Sequence, residues 1–490
     1  MTQQQETAAP TPEKAEAPAK AFPKGQAFRA ALWTIGGEGA SHAIRFLSNL
    51  ALTRLLFPEA FGLMALINVF TYGLNMLSDL GIRPIIIRHE RGDDPLFLNT
   101  VWTVRLIRGA VLAVAAGALG WPLSSFYGDS RLALLFPAVS LNLLLEGFQT
   151  TKMYTCERHL QLGRVTLINL GTGLLGIIVM IFWAWKVPTV WALVAGGLSA
   201  TVTRVVLTYV ALPGPNNRFQ WDRSAWHEVS HFGKWVFLTS LVTFLASRFD
   251  KLVFAKWIPW TMLGVYSIAM SLAALSVEVV LKLSSSVAFP AFSRARARPQ
   301  DLASVFDRIR LLLLLAGGAG LSMLILCGPS IISILYDRRY EDAGWILQVA
   351  AIGAWFQVLE SSQGQMLLTL GKPKWRAVAF MAQFLALLLF LPLAFLQWGF
   401  AGSLAAASLI EALRYGIESW QVRKSGLKSW NTDLPMTGLV FGCGLAAVVF
   451  QHAPGIPGGR LGRGVFCLAT YVAVWSAVAA WYFRKKRGAV

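Results

Sequence analysis

The chain has 490 residues, of which 55% are hydrophobic and only 14% carry a charged side chain. That leaves too little polar surface to cover a water-soluble globule of this size, so the composition excludes an ordinary soluble enzyme and predicts a protein embedded in a bilayer. The formal net charge of +19 reflects lysines and arginines that cluster on one predicted side of the membrane, which indicates orientation rather than nucleic-acid binding.

In chain order, the first segment is a polar tail at 1–26 without an apolar core, which predicts a disordered cytoplasmic segment and no cleaved signal peptide. About fourteen apolar stretches of membrane-spanning length follow. An even number returns the C-terminus to the cytoplasmic side. The predicted spans are 31–52, 61–82, 99–120, 131–151, 164–185, 189–211, 233–255, 261–284, 308–328, 345–370, 374–396, 399–420, 434–451 and 463–483.

A polar connection at 213–232 divides these spans into two sets of six. The predicted domains are an N-terminal six-helix lobe at 27–212, the cytoplasmic linker at 213–232, a C-terminal six-helix lobe at 233–421, and two further spans with a basic tail at 422–490. The two lobes share a weak internal repeat. The run Arg54-Leu-Leu-Phe-Pro-Glu-Ala-Phe-Gly62-Leu resembles Lys251-Leu-Val-Phe followed by Leu263-Gly264-Val, and six intervening spans make the repeat parallel.

The first span carries Glu38, His42, Arg45 and Asn49 at positions i, i+4, i+7 and i+11, which puts all four on one helix face. A charged group in hydrocarbon costs at least a few kcal/mol, so this face is predicted to line a wet cavity. The alternative is a polar seam between packed helices, with Glu38 and His42 paired.

Polar residues in three other spans are further candidates for binding a substrate: Asn75, Asp79, Arg105, Arg108 and Arg204. For Asp79 the alternative is an ion pair with Arg83 near the membrane surface. For Arg105 and Arg108 it is snorkelling of the long side chains. The charges Arg248, Asp250 and Lys251 at the end of span seven favour a structural role through pairing among themselves.

Glu360 differs from these residues because its own span offers it no cation. Its carboxyl group must be protonated, paired across helices, or hydrated. It is a candidate for coupling transport to a proton or sodium gradient, the alternative being a neutral carboxyl in a hydrogen-bonded network. No cofactor is predicted, and the four scattered cysteines suggest neither a metal site nor a disulfide framework.

Four motifs resemble those of the oligosaccharide flippases of bacterial polysaccharide synthesis, the polysaccharide transporter branch of the multidrug, oligosaccharidyl-lipid and polysaccharide exporter superfamily. The resemblance extends over 26–428. The motifs are Leu55-Leu-Phe-Pro-Glu-Ala-Phe-Gly-Leu63, Leu77-Ser-Asp-Leu-Gly-Ile82, Gly264-Val-Tyr-Ser-Ile-Ala269 and Phe289-Pro-Ala-Phe-Ser-Arg294.

The resemblance implies an all-α membrane protein with two pseudo-symmetric six-helix bundles in a V around a central cavity, plus two C-terminal helices. The implied substrate is a polyprenyl-pyrophosphate-linked oligosaccharide, moved to the outer leaflet of the bacterial inner membrane by alternating access. Expected partners are membrane lipids, a polysaccharide polymerase and a chain-length regulator. Binding to nucleic acid is not expected.

Four other functions stay open, one of them a purely structural membrane scaffold. A multidrug antiporter of the same superfamily would need an acidic cavity for organic cations, whereas the candidates here are weighted toward arginine. A peptidoglycan-precursor flippase would need similar cations. A membrane glycosyltransferase or polymerase is disfavoured because the predicted external loops are short and carry no Asp-x-Asp motif or nucleotide-binding glycine loop.

Overall fold

A computed structural model describes residues 24–79, 81–296, 298–452 and 459–487, so most of the predicted tail at 1–26 lies outside the described residues. The described part is built from helices. They are α1 (Lys24–Leu55), α2 (Pro58–Leu77), α3 (Ile82–Arg88), α4 (Pro95–Tyr127), α5 (Leu132–Gly147), α6 (Lys152–Arg158), α7 (Leu162–Lys186), α8 (Trp191–Val210), α9 (Arg223–Trp257), α10 (Trp260–Leu283), α11 (Phe289–Ala295), α12 (Pro299–Leu335), α13 (Ala343–Thr369), α14 (Pro373–Lys424), α15 (Trp430–His452) and α16 (Gly459–Arg487).

Helices suit this sequence because every backbone N–H and C=O in hydrocarbon must find its hydrogen-bond partner within the protein. Among the described segments, eight are long and apolar enough to cross a membrane, or nine if α5 and α6, bent by 55°, form one broken span. The prediction of an all-α polytopic membrane protein is confirmed. The count of fourteen stays a prediction, and α14 alone covers two predicted spans, divided at Gly399 where φ is 62°.

Local sequence signals set several helix ends. Proline occupies the first turn of α2, α4, α12 and α14, where its missing N–H has no helical partner to lose. Asp94 and Asp222 cap α4 and α9 by accepting hydrogen bonds from the backbone N–H groups of Leu96 and Ser224, each at 3.0 Å.

The helices pack in two groups. In the first group α4 packs on α5, and α7 packs on α8 and α1. In the second, α13 packs on α12 and α14, and α9 packs on α14. The groups meet chiefly where α2 lies against α9 and α10, while α15 and α16 both pack on α12. The arrangement agrees with two bundles and two added C-terminal helices, while the residue boundaries of the predicted domains stay a prediction.

The groups approach each other closely where α2 crosses α10. A Cβ atom built on Gly62 would lie 2.1 Å from the carbonyl oxygen of Trp260, and one built on Gly264 would lie 1.8 Å from that of Pro58. Only glycine lets the two backbones touch in this way. We call the side of the molecule where α2 and α10 begin the Pro58 end.

Further contacts join the two groups at the Pro58 end. The Arg339 guanidinium donates hydrogen bonds to the carbonyl oxygens of Thr53 and Arg54, at 3.1 and 3.2 Å. The rings of Phe61 and Tyr340 meet edge to face with their centroids 6.4 Å apart. The two groups are therefore closed against each other on this side.

A buried ion pair attaches α15 to the second group. Arg310 on α12 donates to Asp433 on α15 at 2.7 Å, and both side chains are almost completely buried. The Tyr415 hydroxyl donates to the second carboxylate oxygen of Asp433 at 2.7 Å, and Arg310 also contacts Ser362. The C-terminal helices are thus anchored in the core of the second group rather than loosely appended.

Candidate functional site

A cavity of about 540 Å³ lies between α1 and the second group of helices. Its volume is within the range of about 300 to 1,000 Å³ that is typical of small-molecule sites. The polar face predicted for the first span contributes His42, Arg45 and Asn49 to its wall. The helical spacing that groups these residues in the sequence therefore also brings them to one cavity.

The other walls come from α9, α10, α13 and α14, and they carry both charges and neutral polar groups. The cations are Arg45, Arg248, Lys251 and Arg414, and the carboxyl groups are Asp250, Glu278 and Glu411. Which of these groups is free to bind a ligand depends on its neighbours.

Two of the three carboxyl groups are engaged with neutral or titratable partners. Asp250 accepts a hydrogen bond from the hydroxyl of Tyr266, whose side chain is buried. A carboxylate oxygen of Glu278 lies 3.3 Å from Nδ1 of His42, across the interface between α10 and α1. Neither carboxylate faces the cavity without a partner.

The third carboxyl group, Glu411, is paired within α14. Its Oε2 lies 3.1 Å from a guanidinium nitrogen of Arg414, one helical turn away, and its Oε1 accepts hydrogen bonds from Gln357 and Gln383 at 3.2 and 3.0 Å. Arg414 is itself engaged by this pairing.

Three cations remain without an acidic partner. Within the described ranges, Arg45, Arg248 and Lys251 have no carboxylate at ion-pair distance. Nη2 of Arg45 lies 3.2 Å from Nδ1 of His42, the ring nitrogen that also faces Glu278, and the Arg248 guanidinium lies 5.1 Å from the ring centroid of Tyr72 on α2. The charge available to a ligand is consequently positive.

Neutral polar groups complete the lining. Asn49, Gln357 and Gln383 contribute amides, and Ser247, Ser267 and Ser271 contribute hydroxyls. The Ser267 hydroxyl is buried without a hydrogen-bond partner in the part of the chain that the structure describes. Such groups can both donate to and accept from a hydroxyl-rich ligand.

Glu38 lies next to the cavity and does not line it. Its carboxylate is 3.4 Å from Nζ of Lys282 on α10 and 4.0 Å from Nε2 of His42. Together with the contact between His42 and Glu278, it forms a charged bridge from α1 to α10. The pairing of Glu38 with His42 that the sequence suggests is present, and two residues of α10, Lys282 and Glu278, also take part.

The candidates on α2 and α4 do not line this cavity. Arg108 donates to the carbonyl oxygen and the side-chain oxygen of Asn75 at 2.8 and 3.2 Å, and to Ser78 at 2.9 Å. Asp79 accepts from the backbone N–H of Gly81 at 2.9 Å in the turn that follows α2. The structure thus brings Asn75 and Arg108 together, and Asp79 has a local structural contact.

Arg105 and Arg204 also lie away from the cavity. Arg105 donates to Gln149 at 2.7 Å and its guanidinium lies 5.5 Å from the ring centroid of Tyr154. Each retains a buried guanidinium nitrogen, Nη1 of Arg105 and Nε of Arg204, without a hydrogen-bond partner among the described residues. Simple snorkelling to water does not account for those two atoms.

Glu360 is paired across helices, which is one of the three states that the sequence allows. Its Oε2 lies 2.5 Å from Arg414 and its Oε1 lies 3.9 Å from Arg376, both on α14. Because Arg414 lines the cavity and Glu360 does not, Glu360 lies behind the cavity wall.

The structure corrects one expectation, and it adds Arg248 and Lys251 to the cations of the site. In the described residues, Arg248 and Lys251 form no ion pair with Asp250, whose carboxylate instead accepts a hydrogen bond from Tyr266. The sequence signal was present, since three charges stand at the end of an apolar span, but the tyrosine partner is 16 residues away on another helix.

The site and fold define a polytopic helical membrane protein with a cation-rich internal cavity between two helix groups. A family model described as "Polysaccharide biosynthesis protein" matches residues 51–343. The chain belongs to this family, which confirms the resemblance found in its motifs.

Three curated relatives illustrate the similarity. The amylovoran biosynthesis protein AmsL of Erwinia amylovora is 20% identical over 51% of this chain and 65% of its own. The teichuronic acid biosynthesis protein TuaB of Bacillus subtilis is 20% identical over 61% and 62%. The succinoglycan biosynthesis transport protein ExoT of Rhizobium meliloti is 21% identical over 54% and 53%. The chain therefore spans between 53 and 65% of the length of these relatives.

Solved structures share the fold. A lipid II flippase, MurJ, in an inward closed conformation matches with a TM-score of 0.71 at 12% identity, over 94% of this chain and 99% of its own. An inward-facing multidrug transporter of the MATE family of the MOP superfamily matches with a TM-score of 0.64 at 12% identity, over 78% and 94%. At such low identity these likenesses establish the fold alone.

Proposed function

We propose that the protein is a flippase for polyprenyl-pyrophosphate-linked oligosaccharide repeat units and moves them from the cytoplasmic to the outer leaflet. The observation that carries this proposal is a cavity in which three cations lack an acidic partner, whereas each lining carboxyl group contacts a tyrosine, a histidine or an arginine. A ligand that fits this charge distribution is anionic.

The chemistry of the cargo matches the lining. A pyrophosphate entering the protein loses hydration, and Arg45 and Arg248 offset that loss because a guanidinium contacts phosphate oxygens bidentately. The amides and hydroxyls around them suit a sugar, whose hydroxyl groups both donate and accept hydrogen bonds. The polyprenyl tail remains in the bilayer, so the cavity needs to hold only the headgroup.

The same charge distribution argues against a multidrug antiporter. An organic cation would require a carboxylate free to pair with it, and Asp250, Glu278 and Glu411 are each engaged. Bringing such a cation next to Arg45 and Arg248 would add like-charge repulsion.

Movement between leaflets requires two conformations, and we propose that the predicted lobes at 27–212 and 233–421 move as units joined by the linker at 213–232. The contacts at the Pro58 end would break in one state. We further propose that Arg105 and Arg204, with their unpartnered nitrogens, contact the pyrophosphate once the lobes separate. Arg108, Asn75 and Asp79 would then shape the same passage.

We place the protein in the bacterial inner membrane with both termini in the cytoplasm, because lysines and arginines concentrate on that predicted side. A polymerase and a chain-length regulator are its proposed partners, since a repeat unit delivered to the outer leaflet must be assembled into polymer there.

The test is headgroup translocation in proteoliposomes that contain a fluorescent polyprenyl-pyrophosphate-linked saccharide. Arg45→Ala should slow translocation by at least tenfold, whereas Arg164→Ala, which removes a cation exposed on α7 away from the cavity, should leave the rate unchanged. Equal rates for wild type and Arg45→Ala would refute the proposal. If the protein transported a peptidoglycan lipid precursor in preference to polysaccharide repeat units, the proposed substrate would be wrong, whereas the cavity would still be the binding site.

A further inference from the structure

At the cavity wall and behind it, the second group of helices encloses a cluster of three carboxyl groups and two guanidinium groups. The carboxyl groups belong to Glu360 on α13 and to Glu411 and Glu418 on α14, and the guanidinium groups belong to Arg376 and Arg414 on α14. If all five groups were ionised, the cluster would carry one uncompensated negative charge inside the membrane.

Two of the three carboxylates contact Arg414, and one of them, Glu360, also faces Arg376, so two guanidinium groups balance these two carboxylates. Nη2 of Arg414 lies 2.5 Å from Oε2 of Glu360 and 3.1 Å from Oε2 of Glu411. Arg414 is buried, so it is screened little by water and its charge is shared between these two partners.

The third carboxyl group, Glu418, has no such partner. The side chain is fully buried, and both of its carboxyl oxygens lack a hydrogen-bond donor in the described part of the chain. An ionised carboxylate buried in this way is strongly disfavoured. A protonated carboxyl group resolves the problem because it is neutral, and it supplies a donor where the cluster otherwise holds acceptors.

Gly364 on α13 packs against both Glu418 and Arg376. A Cβ atom on Gly364 would lie 3.4 Å from Oε2 of Glu418 and 3.1 Å from Nη1 of Arg376. The Arg376 guanidinium on this side would repel a cation because both carry positive charge. In the described residues, no group of three or more histidine, cysteine or acidic side chains is arranged to hold a metal ion.

We propose that Glu418 is a proton-binding site in the second lobe and that its protonation is coupled to the occupancy of the cavity. On release, the proton of the Glu418 carboxyl group passes to water on the half-buried Arg376 side, and the cluster changes from neutral to singly negative. On uptake the same step runs backwards. No electron transfer or further reactant is involved.

The coupling acts through Arg414. Glu418 follows Arg414 by one helical turn, so an ionised Glu418 competes with Glu360 and Glu411 for its guanidinium. Arg414 also lines the cavity, where an anionic headgroup would compete for it. A headgroup and an ionised Glu418 therefore influence each other's binding reciprocally. This coupling rests on the proposed cargo, whereas the proton site itself does not.

Other charged groups surround the cluster. Asp250 on α9 acts electrostatically on Glu411, and the pair of Arg310 and Asp433 lies beyond Tyr415. Asp250 adds negative charge to the surroundings of the cluster, while the pair of Arg310 and Asp433 is internally compensated. Neither provides Glu418 with a cation.

The test is infrared difference spectroscopy of the full-length protein in lipid nanodiscs, titrated between acidic and alkaline buffer. We expect a protonated-carboxyl band that Glu418→Gln removes and that Glu278→Gln, at an exposed carboxyl group of the cavity, retains. An unchanged band in Glu418→Gln, or a band that responds to sodium ions at constant pH, would overturn the proposal. Because glutamine imitates a protonated glutamate, the variant should elute and unfold like wild type in acidic buffer, and a misfolded variant would itself contradict a neutral Glu418.

A second measurement separates this inference from the proposed function. In proteoliposomes, an imposed pH gradient should change the rate of headgroup translocation in wild type and leave it unchanged in Glu418→Gln. If Arg45→Ala transports normally while Glu418→Gln lacks the band, the flippase proposal fails and the proton site stands. If Arg45→Ala is inactive and the band persists in Glu418→Gln, the proton site fails alone.

Discussion

Gly62 of α2 and Gly264 of α10 touch each other through their backbones. A Cβ atom on either glycine would lie 3.1 or 3.2 Å from the backbone nitrogen of the other. The two residues also occupy matching places in the internal sequence repeat. The contact therefore joins the two helix groups at positions that the predicted repeat makes equivalent, and it is part of what closes the Pro58 end.

Replacing Gly264 with alanine should open the Pro58 end, because the new methyl group would overlap the carbonyl group of Pro58 and neither backbone can move without separating the helices. Spin labels at Ser125→Cys and Asp342→Cys, in a variant without the four native cysteines, report the distance between the two helix groups by electron paramagnetic resonance. The mean distance should lengthen. Gly173→Ala on α7, with open space around its Cβ, is the matched control, and identical distances in both variants would show that the crossing does not hold the lobes together.

The contact made by Arg339 should be insensitive to pH in the neutral range. Hydrogen bonding from the Arg339 guanidinium lowers the pKa of Asp337 below its ordinary value, so the stabilisation is present above about pH 4 and is lost as the pH falls through the lowered pKa. The distance between the same two spin labels should be equal at pH 8 and pH 5. Asp337→Asn should broaden the distance distribution at both values, and a distance that changes between pH 8 and pH 5 in wild type would contradict this assignment.

Removal of one partner of the buried pair on α12 and α15 should be costly. Asp433→Ala leaves Arg310 as an uncompensated buried charge, which typically costs about 3 to 5 kcal/mol. Unfolding in detergent measures the loss. The double variant Arg310→Met, Asp433→Leu should recover most of it, because no isolated charge remains. A single variant as stable as wild type would show that α15 is not anchored by this pair.

The sequence alone predicts the broad fold because its signals are local. Span-length apolar runs identify the helices, and the spacing of His42, Arg45 and Asn49 groups them on one face without knowledge of any partner. The sequence also reveals Gly62 and Gly264 as matching positions of a repeat, because each lies in a short local motif.

What the sequence could not supply is the pairing between distant segments. Nothing near Asp250 reveals that Tyr266 will occupy it, and nothing near Glu360 reveals Arg414, 54 residues later. The sequence therefore could not show which polar residues line the cavity and which bind each other elsewhere, as Arg108 and Asn75 do.

Arg248 should contribute to headgroup affinity as strongly as Arg45. A hydrogen bond to a charged partner contributes about 1.5 to 3 kcal/mol, so Arg248→Ala should weaken binding of a polyprenyl pyrophosphate by roughly 10- to 150-fold. Calorimetric or fluorescence titration with farnesyl pyrophosphate measures the change. The affinity of Arg248→Lys should lie between those of wild type and Arg248→Ala, because lysine keeps the positive charge but lacks the planar guanidinium. Equal affinity in all three proteins would remove Arg248 from the site.

The most direct test of the central claim is protection of the cavity by its anion. In a variant without the native cysteines, Ser271→Cys places a thiol on the cavity wall for labelling by a membrane-impermeant reagent. Farnesyl pyrophosphate should slow labelling in a concentration-dependent manner, farnesol should not, and Arg45→Ala should abolish the protection. Equal labelling with and without the pyrophosphate, or equal protection by farnesol, would contradict a cavity that binds an anionic lipid headgroup.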